Sequence, residues 1–386
     1  MGNDTYVRQD MLKVVDYNLL AQLPDPFEMN DGRRVSSDSD WQQRRAEIRQ
    51  TAVDLLYGFF PPEPEFLEVE AHCDYRYSRT KVYRIHTGTR ARPFHFRMQV
   101  ILPDAIDGKC PVIVDGDQCF SYQNGYLEAA LSRGIAWVLF DRTEIAYDVQ
   151  ALPRGHGAIY ETWPELTCGA LACWAWGYSR CVDALKQLDL PLDLNWIAFT
   201  GHSRGGKTAL LAGAMDERAR IVNSNESGAG GSGCYRLRAA CSYEGGPEGR
   251  EERLSDSLEQ FPYWYGKDIA SYVDNEAVLP FDLHFIKAMV APRTLFISEA
   301  AGDLWCNPLG SWQTTMAARD VYRFLNAEEN LFWYYRPGFH AHTALDAQML
   351  VNVILHQKNG EAVDGRLFRL PFEAPEPAFD WRCPEK

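Results

Sequence analysis

The ten cysteines of this 386-residue chain form no Cys-x-x-Cys pair and no spacing suited to zinc. That excludes a finger-type metal site, and so scattered a set points to reduced thiols rather than a disulfide framework. Positive charge is also short: 39 lysines and arginines stand against 53 aspartates and glutamates, a net charge of −14. No basic run exceeds a pair such as Arg44-Arg45, so neither nucleic acid nor an anionic membrane surface is expected as a partner. No apolar run approaches the length of a membrane span. The opening residues, Met1 to Tyr6, have neither a basic nor an apolar segment of the kind that directs secretion, which sets a cytoplasmic location as the expectation. Repeats and low-complexity tracts are lacking too.

Aromatic residues, by contrast, are plentiful. Eleven tryptophans and nineteen tyrosines supply core material and also stacking faces for a sugar or an aryl group. Residues 1–65 read as an N-terminal extension packed on the rest. Its helix, capped by Asp40, carries Trp41, Ile48, Ala52, Leu55 and Leu56 and stops before Pro61-Pro62. Residues 66–386 read as one catalytic domain. Alternation in Tyr75–Ile85 and Phe94–Leu102 predicts antiparallel strands. From Pro111 onward short apolar runs alternate with helix-length segments: Val112–Val114, Ala136–Phe140, Trp196–Thr200, Ile221-Val222, Thr294–Ile297 and Leu331–Tyr335. That alternation predicts an α/β fold, a mostly parallel central sheet flanked by helices. Gly228–Leu254 reads as a long irregular stretch that shapes the site, and the polar tail after Gly360 as irregular chain wrapped on the surface.

The strongest local signal is Gly201-His202-Ser203-Arg204-Gly205, set between the run Trp196–Thr200 and the helical segment from Gly206 to Leu211. Strand, Gly-x-Ser-x-Gly turn and helix make the nucleophile elbow of an α/β-hydrolase, which lifts the serine hydroxyl to the carboxyl edge of the sheet. Such an elbow needs a base later in the chain. His284, His340, His342 and His356 follow Ser203. His340 lies in the loop directly after Leu331–Tyr335, where the last strand would deliver a base, and His342 is its near rival. His284 and His356 sit in helix-like contexts that suit structural histidines. Two carboxylates could orient the imidazole. Asp303 follows Thr294–Ser298 and gives the order Ser, Asp, His; Glu226 follows the earlier strand. Local pattern alone selects Asp303.

These residues belong to a wider set that resembles the glucuronoyl esterases, the fifteenth carbohydrate esterase family, from roughly Leu23 to Ile354. The elbow continues as Ser203-Arg204-Gly205-Gly206-Lys207, similar to that family's Ser-Arg-x-Gly-Lys signature. Trp174-Ala175-Trp176-Gly177, Glu226-Ser227-Gly228-Ala229-Gly230-Gly231, Phe261-Pro262-Tyr263-Trp264, Asp303-Leu304-Trp305 and the Arg336…His340 loop match in order, as do Leu23–Phe27 and Trp41…Arg45. The resemblance implies that Glu226, 23 positions after Ser203, comes before Asp303 as the orienting acid. It also implies that Arg204 helps hold the oxyanion, and that Lys207, Trp305 and Glu252 contact the sugar. There are departures: Tyr263 stands where the family usually has histidine, the stretch from Tyr235 to Leu254 is longer and more charged, and His202 and Ala341 rule out the fungal disulfide.

The expected activity is hydrolysis of an ester between a glucuronic or 4-O-methylglucuronic acid carboxylate and an alcohol, on a small-molecule or oligosaccharide substrate, through an acyl-enzyme on Ser203. Arg204, joined by an N–H near Asp117-Gln118, would meet the oxyanion. No metal or organic cofactor is implied. An acetyl- or other acyl-sugar esterase on the same scaffold is the rival activity, and an inactive carbohydrate-binding homologue the rival from another class.

Overall fold

Strand-forming runs in this chain assemble into two sheets of unequal size. The computed structural model describes residues 11–74, 78–120 and 125–386. Its strands are β1 (Leu12–Leu19), β2 (Phe66–Asp74), β3 (Thr80–Gly88), β4 (Pro93–Ile101), β5 (Cys110–Asp115), β6 (Ala136–Phe140), β7 (Leu192–Thr200), β8 (Ala219–Asn225), β9 (Leu237–Tyr243), β10 (Gly249–Arg250), β11 (Thr294–Ala300) and β12 (Leu331–Arg336). Nine of them form the central sheet in the order β12-β11-β8-β7-β5-β6-β4-β3-β2. Neighbours from β12 to β6 are parallel, and β6–β4, β4–β3 and β3–β2 are antiparallel. All six apolar runs picked out in the sequence fall in the parallel strands. Every residue of β5, β6 and β11 is buried, as helices on both faces require. The principal helices are α1 (Asp38–Ile48), α2 (Ala170–Leu185), α3 (Arg204–Met215), α4 (Pro308–Phe324) and α5 (Ala344–Asn359).

The chain leaves β5 for β6 on one side and returns to β7 on the other. In open parallel sheets a ligand crevice forms outside the carboxyl ends of the strands at such a reversal. Asp117, Ser203, Glu226, Asp303 and His340 all follow carboxyl ends of parallel strands. The site is thus placed by topology.

Three expectations change. The cap of α1 is Ser37, whose hydroxyl accepts the Asp40 N–H at 3.1 Å, while the Asp40 carboxylate accepts the Ser36 hydroxyl at 2.9 Å. Asp40 supports the turn instead of starting the helix, which passes through one wider turn (Arg49–Val53) before ending at Leu56. The strand assigned to Tyr75–Ile85 begins at Thr80; Tyr75–Tyr77 lie outside the described residues, and β2 precedes them. Gly228–Leu254 is only partly irregular. It contains β9 and β10, and β9 pairs antiparallel with β1, Leu12 facing Tyr243 and Leu19 facing Leu237. A strand whose partner lies more than two hundred residues away leaves little local periodicity to read. The tail after Gly360 has no helix or strand.

Among the described residues of the N-terminal extension, those from Phe27 to Tyr57 supply side chains to the main core. Phe27, Trp41, Ile48, Val53, Leu56 and Tyr57 are fully buried in one cluster with Ile85, Val112, Phe199 and Val222 of the sheet. Arg45 fastens α1 to this core through the carbonyls of Met289 and Ala214, each at 2.9 Å.

Candidate active site

Ser203 sits between β7 and α3 with φ 58° and ψ −121°, a conformation that side-chain-bearing residues rarely adopt. The flanking glycines make it possible. A Cβ on Gly201 would strike the Gly205 backbone, and one on Gly205 would strike the Asp117 carboxylate. The turn is tied on both sides: the Ser203 N–H donates to the Asn225 carbonyl at 2.9 Å, and the His202 N–H to Asp117 Oδ2 at 2.8 Å. The His202 ring meets Asn225 Oδ1 at 2.7 Å, and burial lowers its pKa to about 3, so it stays neutral.

His340 lies in the loop after β12, its ring 4.4 Å from that of His202 and 43% of its side chain exposed. Its Nδ1 is 2.6 Å from Asp303 Oδ2 and 3.4 Å from Glu226 Oε2. The order of the acids therefore reverses relative to the expectation: Asp303 makes the hydrogen bond. Glu226 is otherwise engaged, because its carboxylate pairs with Arg336 Nη2 and accepts the Ala341 N–H at 3.0 Å. Arg336 in turn grips Asp346 at 3.0 Å, so Glu226 belongs to the frame that shapes the histidine loop. Burial works to raise the Asp303 carboxyl, but its hydrogen bond to His340 and the Cys306 donors win and hold it below the usual carboxylate range.

The other histidines have separate partners. His342 is half-buried against the Tyr126 hydroxyl, and desolvation lowers its pKa and keeps it neutral. His284 meets the Pro24 carbonyl at 2.9 Å and His356 the Glu361 carbonyl at 2.7 Å. Two sets of side chains, His202 with Glu226 and His340, and Asp303 with Cys306 and His340, lie close enough to hold a cation. Their donor atoms are spent on one another and on Asn225, Arg336 and Ala341, an arrangement suited to proton transfer. The Cys306 thiol donates to the Glu226 carbonyl at 3.0 Å, and burial pushes its pKa well up, so it is not a thiolate nucleophile.

The cations sit differently from one another. Arg204 Nη1 pairs with both oxygens of Asp148, at 3.1 and 3.0 Å, and its guanidinium lies 4.9 Å from the ring centroids of Phe261 and Trp264. Among the described residues its Nε and Nη2 donors have no partner, and 26% of its side chain is exposed. Lys207 is committed inward. Its ammonium donates to the Ser227 carbonyl at 2.7 Å, to the Ala229 carbonyl and to Glu252 Oε2 at 3.3 Å, and only 3% of the residue is exposed. A lysine with three donors so used has none left for a sugar hydroxyl, so the direct contact expected of Lys207 is replaced by a hold on Glu252. Glu252 also accepts the Ser257 hydroxyl at 2.6 Å and donates its N–H to the Trp305 carbonyl at 2.8 Å. Trp305, 40% exposed, has Arg250 over its ring at 5.5 Å. With Tyr243, Leu304, Phe339 and His340 it lines a cleft of about 560 Å³ that opens beside Asp303. Near the expected oxyanion position the Asp117 N–H donates to Asp115 Oδ1 at 2.9 Å and the Gln118 N–H to the Phe140 carbonyl at 3.3 Å. Arg204, first residue of α3, keeps its own N–H among the first-turn donors that a helix leaves unpaired.

Asp148 was not legible from the sequence: Tyr147-Asp148-Val149 belongs to no motif.

A family model described as fungal glucuronyl esterase matches residues 85–326. A 4-O-methyl-glucuronoyl methylesterase of Podospora anserina is 31% identical over 328 residues, 83% of this chain and 64% of the relative, so the chain spans just under two thirds of that relative's length. One from Hypocrea jecorina is 29% identical over 370 residues, 94% of this chain and 76% of the relative. Among solved structures, a carbohydrate esterase family 15 glucuronoyl esterase from Caldicellulosiruptor kristjansonii superposes with a TM-score of 0.82 at 30% identity, covering 94% of this chain and 96% of that one. The glucuronoyl esterase catalytic domain from Hypocrea jecorina gives 0.76 at 24% identity, covering 100% and 99%. This chain has the α/β-hydrolase fold of these two solved structures.

Proposed function

Because the chain belongs to the glucuronoyl esterase family, we propose that it hydrolyses esters joining the carboxylate of glucuronic or 4-O-methylglucuronic acid to an alcohol. The observation that carries this reading is the 2.6 Å contact between His340 Nδ1 and Asp303 in a loop whose histidine ring packs against the strained elbow of Ser203. His340 takes the Ser203 proton through its other nitrogen, and the alkoxide attacks the ester carbonyl. Asp303 fixes the ring and stabilises the imidazolium. The oxyanion is met by the Arg204 N–H and guanidinium. His340 then protonates the departing alcohol, and water resolves the acyl-enzyme by the reverse sequence.

The uronate ring stays on the acyl side through both steps, so groups fixed around the nucleophile keep contact with it throughout. In this reading Glu252, braced by Lys207 and Ser257, accepts hydrogen bonds from ring hydroxyls, and the exposed Trp305 offers a face beside it. The names of the two fungal relatives support the acid part of this substrate. A side-by-side assay of benzyl glucuronate and acetylated xylan oligosaccharides tests the reading. Turnover of the glucuronate ester is expected; good turnover of acetylated sugars with none of any glucuronate ester would replace it with an acyl-sugar esterase.

A further inference from the structure

A donor for a developing oxyanion is effective only when it is fixed before the charge appears. Arginine has a long side chain with many rotamers, so something must hold Arg204. The geometry points to Asp148, oriented by Tyr263, as the positioning residue that presents the Arg204 guanidinium to the oxyanion. This inference rests on the oxyanion role proposed for Arg204.

Asp148 takes Arg204 Nη1 on both oxygens, at 3.1 and 3.0 Å, which fixes one end of the guanidinium and leaves Nε and Nη2 without partners among the described residues. Asp148 is itself held. Tyr263 Oη donates to its Oδ1 at 2.7 Å, Trp264 Nε1 to the same oxygen at 3.3 Å, and Arg142 Nη2 to Oδ2 at 3.4 Å. The guanidinium is also bounded by Phe261 and Trp264, whose rings stack 3.8 Å apart. Burial works to raise the Asp148 carboxyl, but Arg142, Arg204 and the Tyr263 hydroxyl hold it below the usual carboxylate range, so it is an anion at neutral pH.

The alternative is that Asp148 merely neutralises Arg142, which is fully buried. Distances argue against it. Arg142 is paired with Asp117 through Nη1, and its contact to Asp148 is longer than either Arg204 contact. Asp117 accepts the N–H of His202, before the nucleophile, while Asp148 holds the side chain of Arg204, after it. Arg142 bridges the two acids, so an alternating chain of charge straddles Ser203. Tyr263, which stands where the family usually has histidine, keeps a donor on Asp148.

The test is a pair of double-mutant cycles on benzyl glucuronate, with kcat and KM measured separately for Arg204→Ala, for Asp148→Asn and Tyr263→Phe each alone and combined with Arg204→Ala, and for Tyr263→His. Arg204→Ala is expected to lower kcat about 100-fold, as loss of one oxyanion donor does. Asp148→Asn alone should lower it about tenfold with KM within about threefold, and add nothing in the Arg204→Ala background. Tyr263→Phe should cost about threefold in kcat, again only when Arg204 is present, and Tyr263→His should restore it. Losses that multiply in the double mutant would overturn the inference, as would an Asp148→Asn kcat within twofold of the parent. Should Asp148→Asn fail to fold, Tyr263→Phe decides alone: no loss, or an equal loss without Arg204, sinks the clamp. An unchanged kcat in Arg204→Ala would instead remove the oxyanion role and the clamp with it.

Discussion

Two carboxylates approach one imidazole nitrogen, and their other partners decide which one serves it. Asp303 sends an oxygen to His340 Nδ1 at 2.6 Å, whereas Glu226 faces Arg336 and the Ala341 N–H. The two substitutions should therefore separate. Asp303→Asn is expected to lower kcat by about 10²–10⁴-fold with little change in stability, since an amide can impose the wrong tautomer on the ring. Glu226→Gln should cost activity far less and destabilise more, by about 1.5–3 kcal/mol, because it weakens a charge-assisted hydrogen bond to a buried guanidinium that retains Asp346. Steady-state kinetics and urea unfolding on the same preparations check both halves. A larger kcat loss in Glu226→Gln would return the orienting role to the glutamate. Ser203 and His340 were legible because each follows a strand that its own neighbours announce. The acid was not: both candidates follow strands, and what settles Glu226 is Arg336, 110 positions away in sequence. The inward commitment of Lys207 was not legible for a similar reason, since its motif places it near the site but says nothing of the Ser227 and Ala229 carbonyls that claim its protons.

At the scale of elements, the elbow shows how closely a turn can be specified by what surrounds it. Gly205 faces the Asp117 carboxylate, which holds both the His202 N–H and the buried Arg142. Gly205→Ala would force Asp117 aside and release both. Overpacking of this kind costs about 1–3 kcal/mol, and a displacement of about 1 Å at a nucleophile can cost about 10²-fold in rate. We expect the variant to fold with a lowered unfolding midpoint and to lose about 100-fold in kcat on benzyl glucuronate. Labelling of Ser203 by a fluorophosphonate should slow in parallel. Activity within threefold of the parent would mean that Asp117 does not fix the turn. The parallel strands were legible because each carries a short apolar run set between helix-length segments. The small sheet was not: β1 reads Leu-Lys-Val-Val-Asp-Tyr-Asn-Leu with most side chains outward, and it is a strand chiefly because β9 lies beside it.

At the scale of the whole molecule, residues 27–57 bear on whether the N-terminal extension is an appendage or part of the fold, and their burial argues for the second. Trp41 has no exposed surface, its ring lies 6.3 Å from Phe27, and both belong to the cluster that includes Ile85 of β3, Val112 of β5, Phe199 of β7 and Val222 of β8. Arg44 reinforces this from the same helix: its Nε donates to the Pro26 carbonyl at 3.1 Å and its guanidinium stands 5.3 Å from the Phe285 ring. If one core spans extension and sheet, a cavity in the extension must weaken the whole. Trp41→Ala should lower the stability of the entire chain by about 3–5 kcal/mol, the cost of truncating a fully buried large aromatic. The loss should appear as one transition at a lower denaturant concentration, coincident by far-ultraviolet circular dichroism and tryptophan fluorescence. Ester hydrolysis should vanish over that same transition, since the crevice is built from the same sheet. An extension folding apart from the rest would behave otherwise: a small early transition would separate from the main one, and activity would persist through it. That pattern would divide the chain near residue 65 and leave residues 66–386 as a self-sufficient catalytic unit.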